Sequence, residues 1–194
     1  MTNPLAWIAE MHMAHSLTLV QGLTGRDVLV RIGGEPESIR QPEDEAEAEA
    51  LRDEALEDYW DFGALHGGVT GDWAFAFEPA STWAFDDERL AAASRGTRLI
   101  GCYNGDSLGF VEHWVDGTLI TKFDTRQPEL RHEQRGEDPD RLVPEMGRAG
   151  FFDPESGLSP NLRALALLHD YTGVTLGPHQ VTFGLMARLP AYDE

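Results

Sequence analysis

Leu108-Gly109-Phe110-Val111-Glu112-His113-Trp114-Val115-Asp116-Gly117-Thr118-Leu119-Ile120-Thr121-Lys122-Phe123-Asp124 is the stretch that decides the fold. Two runs rich in β-branched and aromatic residues flank Asp116-Gly117, the dipeptide that best tolerates two successive left-handed residues in a tight hairpin turn. A two-residue turn pairs Val115 with Thr118, Trp114 with Leu119, Glu112 with Thr121 and Phe110 with Phe123. One face then carries Phe110, Glu112, Trp114, Leu119, Thr121 and Phe123, and the other carries Val111, His113, Val115, Thr118, Ile120 and Lys122. The first face is the more apolar, so Glu112 becomes a buried-carboxylate candidate. Such a group must be paired, or it is functional with a raised pKa.

Working outward, Trp73, Phe75 and Phe77 alternate with Ala74 and Ala76, leaving an aromatic face and a small face that another layer can approach closely. Trp83 and Phe85 repeat the alternation, and residues 97–103 add another run. Residues 66–124 therefore read as an antiparallel meander of about five strands, with Ser16–Val20 as a further strand or a continuation of a helix over 5–15. Gly33-Gly34 and Gly67-Gly68 read as turns. Placing the turn of the preceding hairpin at residues 104–107 sets Cys102 opposite Gly109 and Arg98 opposite His113. Cys102 and His113 then stand on the order of 13 Å apart, too far for a nucleophile and its base.

The helices announce themselves by their ends. Thr24 and Asp27 form a capping-box pattern before a helix that stops at Gly33. Asp86-Asp87-Glu88 opens another that runs to Ser94. A short one spans 140–147, interrupted at Pro144. Ser159-Pro160 starts a helix that Gly173 stops, and Gly177-Pro178 opens a last one over Val181 to Leu189. The expected class is α+β: a single domain over 1–194, the meander packed against N- and C-terminal helices.

Charge limits function. With 34 acidic and 15 basic residues the net charge is −19, which argues against direct binding to nucleic-acid phosphates or an anionic membrane surface. No run approaches a membrane span and no signal peptide is evident, so a cytoplasmic location is expected. One cysteine precludes a disulfide framework. His12 and His15, three apart, form too small a set for a metal site, and phosphate-binding and hydrolase motifs are absent, so no metal and no cofactor are expected.

Half of the net charge lies in residues 35–61, an acidic helical insert where 12 acids face only Arg40 and Arg52. A helix from Glu43, frayed near Pro42 and docked through a thin stripe of Leu56, Tyr59 and Trp60, would present Glu47, Glu54, Glu57, Asp58 and Asp61 to a partner, with Trp60 as an aromatic anchor. The reading that follows is a protein-binding module, immunity- or antitoxin-like, that occludes a basic protein partner. Two others stand beside it: an enzyme without a familiar signature using Glu112 or Asp124 with His113, and an acidic nucleic-acid mimic built on the helix.

The order of several short motifs resembles one family. They are Leu17-Thr18-Leu19-Val20-Gln21-Gly22-Leu23, the helix ending Ile32-Gly33, Gly71-Asp72-Trp73-Ala74 and Gly96-Thr97-Arg98. The Asp116-Gly117-Thr118-Leu119 hairpin, Pro144-Glu145-Met146, Gly150-Phe151, and the Ala164-Leu165-Ala166-Leu167 helix leaving through Thr172-Gly173-Val174 complete the set. Together they are similar to the bacterial family catalogued as domain of unknown function 6461, over residues 5–190. The resemblance implies a single-domain fold and no activity or catalytic residue.

Overall fold

A computed structural model describes residues 3–57, 62–79 and 83–190, the side chains of 54–57 and 62 excepted. Among the described residues seven antiparallel strands form one sheet: β1 (His15–Gln21), β2 (Phe62–Thr70), β3 (Trp73–Pro79), β4 (Arg98–Asn104), β5 (Gly109–Val115), β6 (Thr118–Asp124) and β7 (Leu185–Pro190). Their order is β6-β5-β4-β1-β3-β2-β7, so the sheet is wider than the expected five strands and β1 sits at its centre.

The two faces are covered differently. The aromatic side of β3 (Trp73, Phe75 and Phe77) packs with Leu17, Ile100, Cys102, Val111 and Phe123 under α1 (Ala6–Met11), α5 (Val143–Arg148) and α6 (Pro160–Thr172). The alanine side (Ala74 and Ala76) packs with Val20, Leu99 and Trp114 under α2 (Gly25–Arg31) and α4 (Asp87–Ser94). Helix starts follow the cap chemistry read from the sequence. Thr24 and Asp27 form a reciprocal capping box, Asp86 accepts from the Glu88 and Arg89 amides, and Ser159 caps α6, which ends at left-handed Gly173.

Four expectations fail for local reasons. Trp83 to Phe85 form no strand, because their amides are diverted: Trp83 and Ala84 donate to the fully buried Glu78 carboxylate at 3.2 and 2.8 Å. Gly67 and Gly68 are strand residues, not turns. A Cβ on Gly67 would sit 2.7 Å from Leu29, and one on Gly68 would sit 2.7 Å from Phe75, so these glycines let α2 and an aromatic ring lie on the strand. Pro144 lies in the first turn of α5, where it is tolerated, instead of interrupting it. The last helix, α7 (Pro178–Thr182), is only five residues long. At Gly184 the chain comes so close to the Gly67 carbonyl that a Cβ would lie 2.6 Å away, and it then runs on as β7 beside β2. Leu185, Ala187 and Leu189 alternate onto the alanine-side core, a period-two signal that the apolar run masks.

Both outer strands are covered. The Glu137 and Asp138 amides donate to the Leu119 and Ile120 carbonyls of β6. On β7, Glu35 and Arg40 donate to the Arg188 and Met186 carbonyls, and the Met186 amide donates back to Arg40.

Candidate functional site

The acidic insert forms α3 (Glu45–Glu57). Its start is fixed, not frayed: Pro42 is buried, the Asp44 carboxylate accepts from the Glu47 amide at 2.9 Å, and the Glu47 carboxylate accepts from the Glu43 amide at 2.6 Å. Glu47 is therefore half-buried and spends one oxygen on its own helix. Ala48 is fully buried and anchors the helix to the body, while Glu45, Glu49 and Asp53 are exposed. The candidates Glu54 and Glu57 lie on α3, but their side chains fall outside the described residues, as do Asp58, Trp60, Asp61 and the expected docking stripe of Leu56, Tyr59 and Trp60.

Glu112 is 1% exposed, and its pairing shows how the chain handles a buried charge. Asp116 and Gly117 both have positive φ, and Val115 pairs with Thr118 and Trp114 with Leu119 as the two-residue turn requires. Beyond them the register slips. His113 faces Thr121, Glu112 faces Lys122 and Val111 faces Phe123, leaving Ile120 as the extra residue of a β-bulge. The expected Glu112–Thr121 and Phe110–Phe123 pairs are thus replaced. The slip turns Lys122 onto the Glu112 face and Phe123 into the opposite core. Lys122 Nζ lies 2.7 Å from Glu112 Oε1, and Trp114 Nε1 donates to Oε2 at 2.8 Å. Lys122 also lies 3.8 Å from Asp87, which in turn pairs with Arg135. Burial pushes the Glu112 carboxyl above its usual range, with Lys122 and Trp114 pulling it back.

The other residues of the enzyme reading do not meet Glu112. His113 follows it in the strand and points to the opposite face, where Tyr171 Oη lies 2.9 Å from Nε2. Burial, then the Arg141 and Arg98 charges, bring His113 down to about 4. Asp124 Oδ1 accepts from the Arg126 amide in a turn. The β4–β5 turn lies one residue later than expected on each strand, because Asn104 stays in the ladder opposite Gly109 and its side-chain Nδ2 donates to the Met13 carbonyl at 2.8 Å. Cys102 then faces Val111 and His113 faces Ile100, two rungs apart, or about 7 Å, instead of four rungs. The Cys102 thiol is buried and pushed up to about 12 by desolvation, as suits a structural side chain.

A second polar group, which the sequence does not reveal, surrounds Phe77. The rings of His12, His15 and His66 lie 5.1, 6.2 and 6.3 Å from its centroid. Among the described residues no three His, Cys, Asp or Glu side chains gather as a metal site. Beside these rings is a half-enclosed cavity of about 170 Å³ lined by Trp7, His12, Arg52, His66, Phe77 and Val181, among others. His66 is 3% exposed, and its Nδ1 lies 3.2 Å from the Val181 carbonyl. Five elements, α1, α3, β2, β3 and α7, build this cavity. Its one sequence-level sign is Arg52, the only base in α3.

A family model covers residues 4–183 of the chain. The chain belongs to DUF6461, a family of unknown function. The DUF6461 match takes in α1 through α7 and all strands except β7. No curated protein and no solved structure matches the chain.

Proposed function

We propose that this DUF6461 chain is a protein-binding module that acts by occlusion, in the manner of an immunity protein or antitoxin, on a basic protein partner. The observation that carries the reading is the posture of α3: Ala48 is turned inward and fully buried, while Glu45, Glu49 and Asp53 are turned to solvent in a chain of net charge −19. A fixed cap at Asp44 and Glu47 holds the start of the helix that carries these carboxylates before any encounter, which lowers the backbone entropy lost on binding. Complementary charge of this kind accelerates association more than it deepens affinity. The enzyme reading draws no support from Glu112, whose two oxygens already face Lys122 and Trp114.

The test is capture of partners at low ionic strength, followed by binding kinetics. A basic protein whose association rate falls about tenfold or more between low and physiological salt supports the proposal. The rate should fall again in the triple variant Glu45→Gln/Glu49→Gln/Asp53→Asn. Capture of only the chain itself, or of a partner indifferent to both salt and the triple variant, overturns it.

A further inference from the structure

We propose that the cavity between α1, α3, α7 and the β2–β3 ladder is a binding site for a small carboxylic acid with an apolar body. The walls are Trp7, Met11, Phe77, Pro79, Pro178 and Val181, and the polar groups that break them are Arg52, His12 and His66. A concave apolar site with a few convergent polar groups is the general form of a small-ligand pocket. Its volume of about 170 Å³ equals the room of about six waters, enough for a ring or short chain with one carboxylate.

Each polar group has a definite part. A carbonyl can only accept, so His66 Nδ1 carries the proton it donates to Val181, and Nε2 is left as an acceptor. Among the described residues no hydrogen bond or ion pair occupies that Nε2 or the Arg52 guanidinium. Burial first, and the Arg52 charge after it, disfavour protonation of both His12 and His66. Among the described lining residues, the Arg52 guanidinium supplies the positive charge. A carboxylate pairs with Arg52, the apolar body lies against Phe77 and Trp7, and a hydroxyl or amide N–H on the ligand can donate to His66. Arg52 is the sole base of a helix whose other charges are acidic. The helix thus has two roles: acids toward solvent and its single cation toward the cavity.

The experiment is ligand-observed NMR and calorimetry on the full chain with benzoate, 4-hydroxybenzoate and benzyl alcohol. Benzoate should bind more tightly than benzyl alcohol. Arg52→Gln should weaken benzoate by about tenfold or more, the loss expected for a charge-assisted pair, and leave benzyl alcohol unchanged. Met11→Trp, at a position 64% exposed on the rim, should obstruct all three while the circular dichroism spectrum stays that of the parent. Absence of binding by all three at millimolar concentration, or equal benzoate affinity in the parent and Arg52→Gln, overturns the proposal. Neither result touches the protein-binding proposal, which rests on the outward carboxylates.

Discussion

Glu112 and His66 are both buried, both ionisable and both placed on strands of the same sheet, yet the structure treats them oppositely. Glu112 meets a cation at 2.7 Å and an indole N–H at 2.8 Å, and a bulge at Ile120 delivers that cation. Among the described residues His66 meets a single carbonyl and keeps one ring nitrogen open beside a cavity. A buried charge must be answered inside the protein, because leaving it unanswered costs several kcal/mol. A neutral imidazole with one satisfied nitrogen is far less costly, so its second nitrogen can be kept for something else. Burial alone thus does not mark a site; the ligand proposal rests on an open ring nitrogen that also borders a cavity.

The largest expected effect breaks the answered group. Lys122→Met leaves the Glu112 carboxylate buried without its cation and should cost about 3–5 kcal/mol in urea denaturation. Adding Glu112→Gln should restore most of that loss. Deleting Ile120 should cost far less than Lys122→Met, since the hairpin then pairs Glu112 with Lys122 without a bulge and loses chiefly the carbonyl that Asp138 uses.

Acid should find the unanswered groups next. His15, His66 and His113 are each brought down to about 4, chiefly by burial. Their unfolded forms take up protons near pH 6.5 and their folded forms do not. Stability is therefore full above pH 6.5 and falls as pH drops toward 4, by up to about 1.4 kcal/mol per pH unit for each histidine. Glu112, with its raised pKa, works in the opposite direction just above pH 4.5. Urea midpoints measured between pH 7 and pH 4 check the sign.

Smaller still, His66→Gln should cost about 1 kcal/mol, because an amide can replace the donor to Val181 at some loss of packing. Arg52→Gln should change stability by less than about 0.5 kcal/mol. If either substitution proves as costly as Lys122→Met, the distinction between answered and unanswered groups fails.

Much of this contrast was legible at the level of elements and illegible at the level of register. Asp116-Gly117 located the hairpin, and the alternation around Trp73 assigned one face to aromatics and the other to helices approaching on alanine. The capping residues at Thr24, Asp86 and Ser159 placed three helix starts. The bulge at Ile120 carries no local signature: Leu119, Ile120 and Thr121 all suit a strand, and the shift becomes favourable only when Lys122 reaches Glu112 across the ladder. β7 was hidden for a similar reason, since Leu185–Leu189 suits either a helix or a strand until β2 offers it a partner. The cavity was the least accessible part, because its walls are brought together from α1, α3, β2, β3 and α7 by the finished fold. Arg52, a single base among acids, was visible, but nothing near it in the chain says that it points inward.

The covering of both sheet margins limits how any partner can engage. The carbonyls of Leu119 and Ile120 on one side, and of Met186 and Arg188 on the other, already receive hydrogen bonds from residues 35, 40, 137 and 138. An incoming peptide that sought to lengthen the sheet would first have to displace them. Under the occlusion proposal, a partner would therefore be met by side chains on helices and loops, with the sheet beneath them left intact.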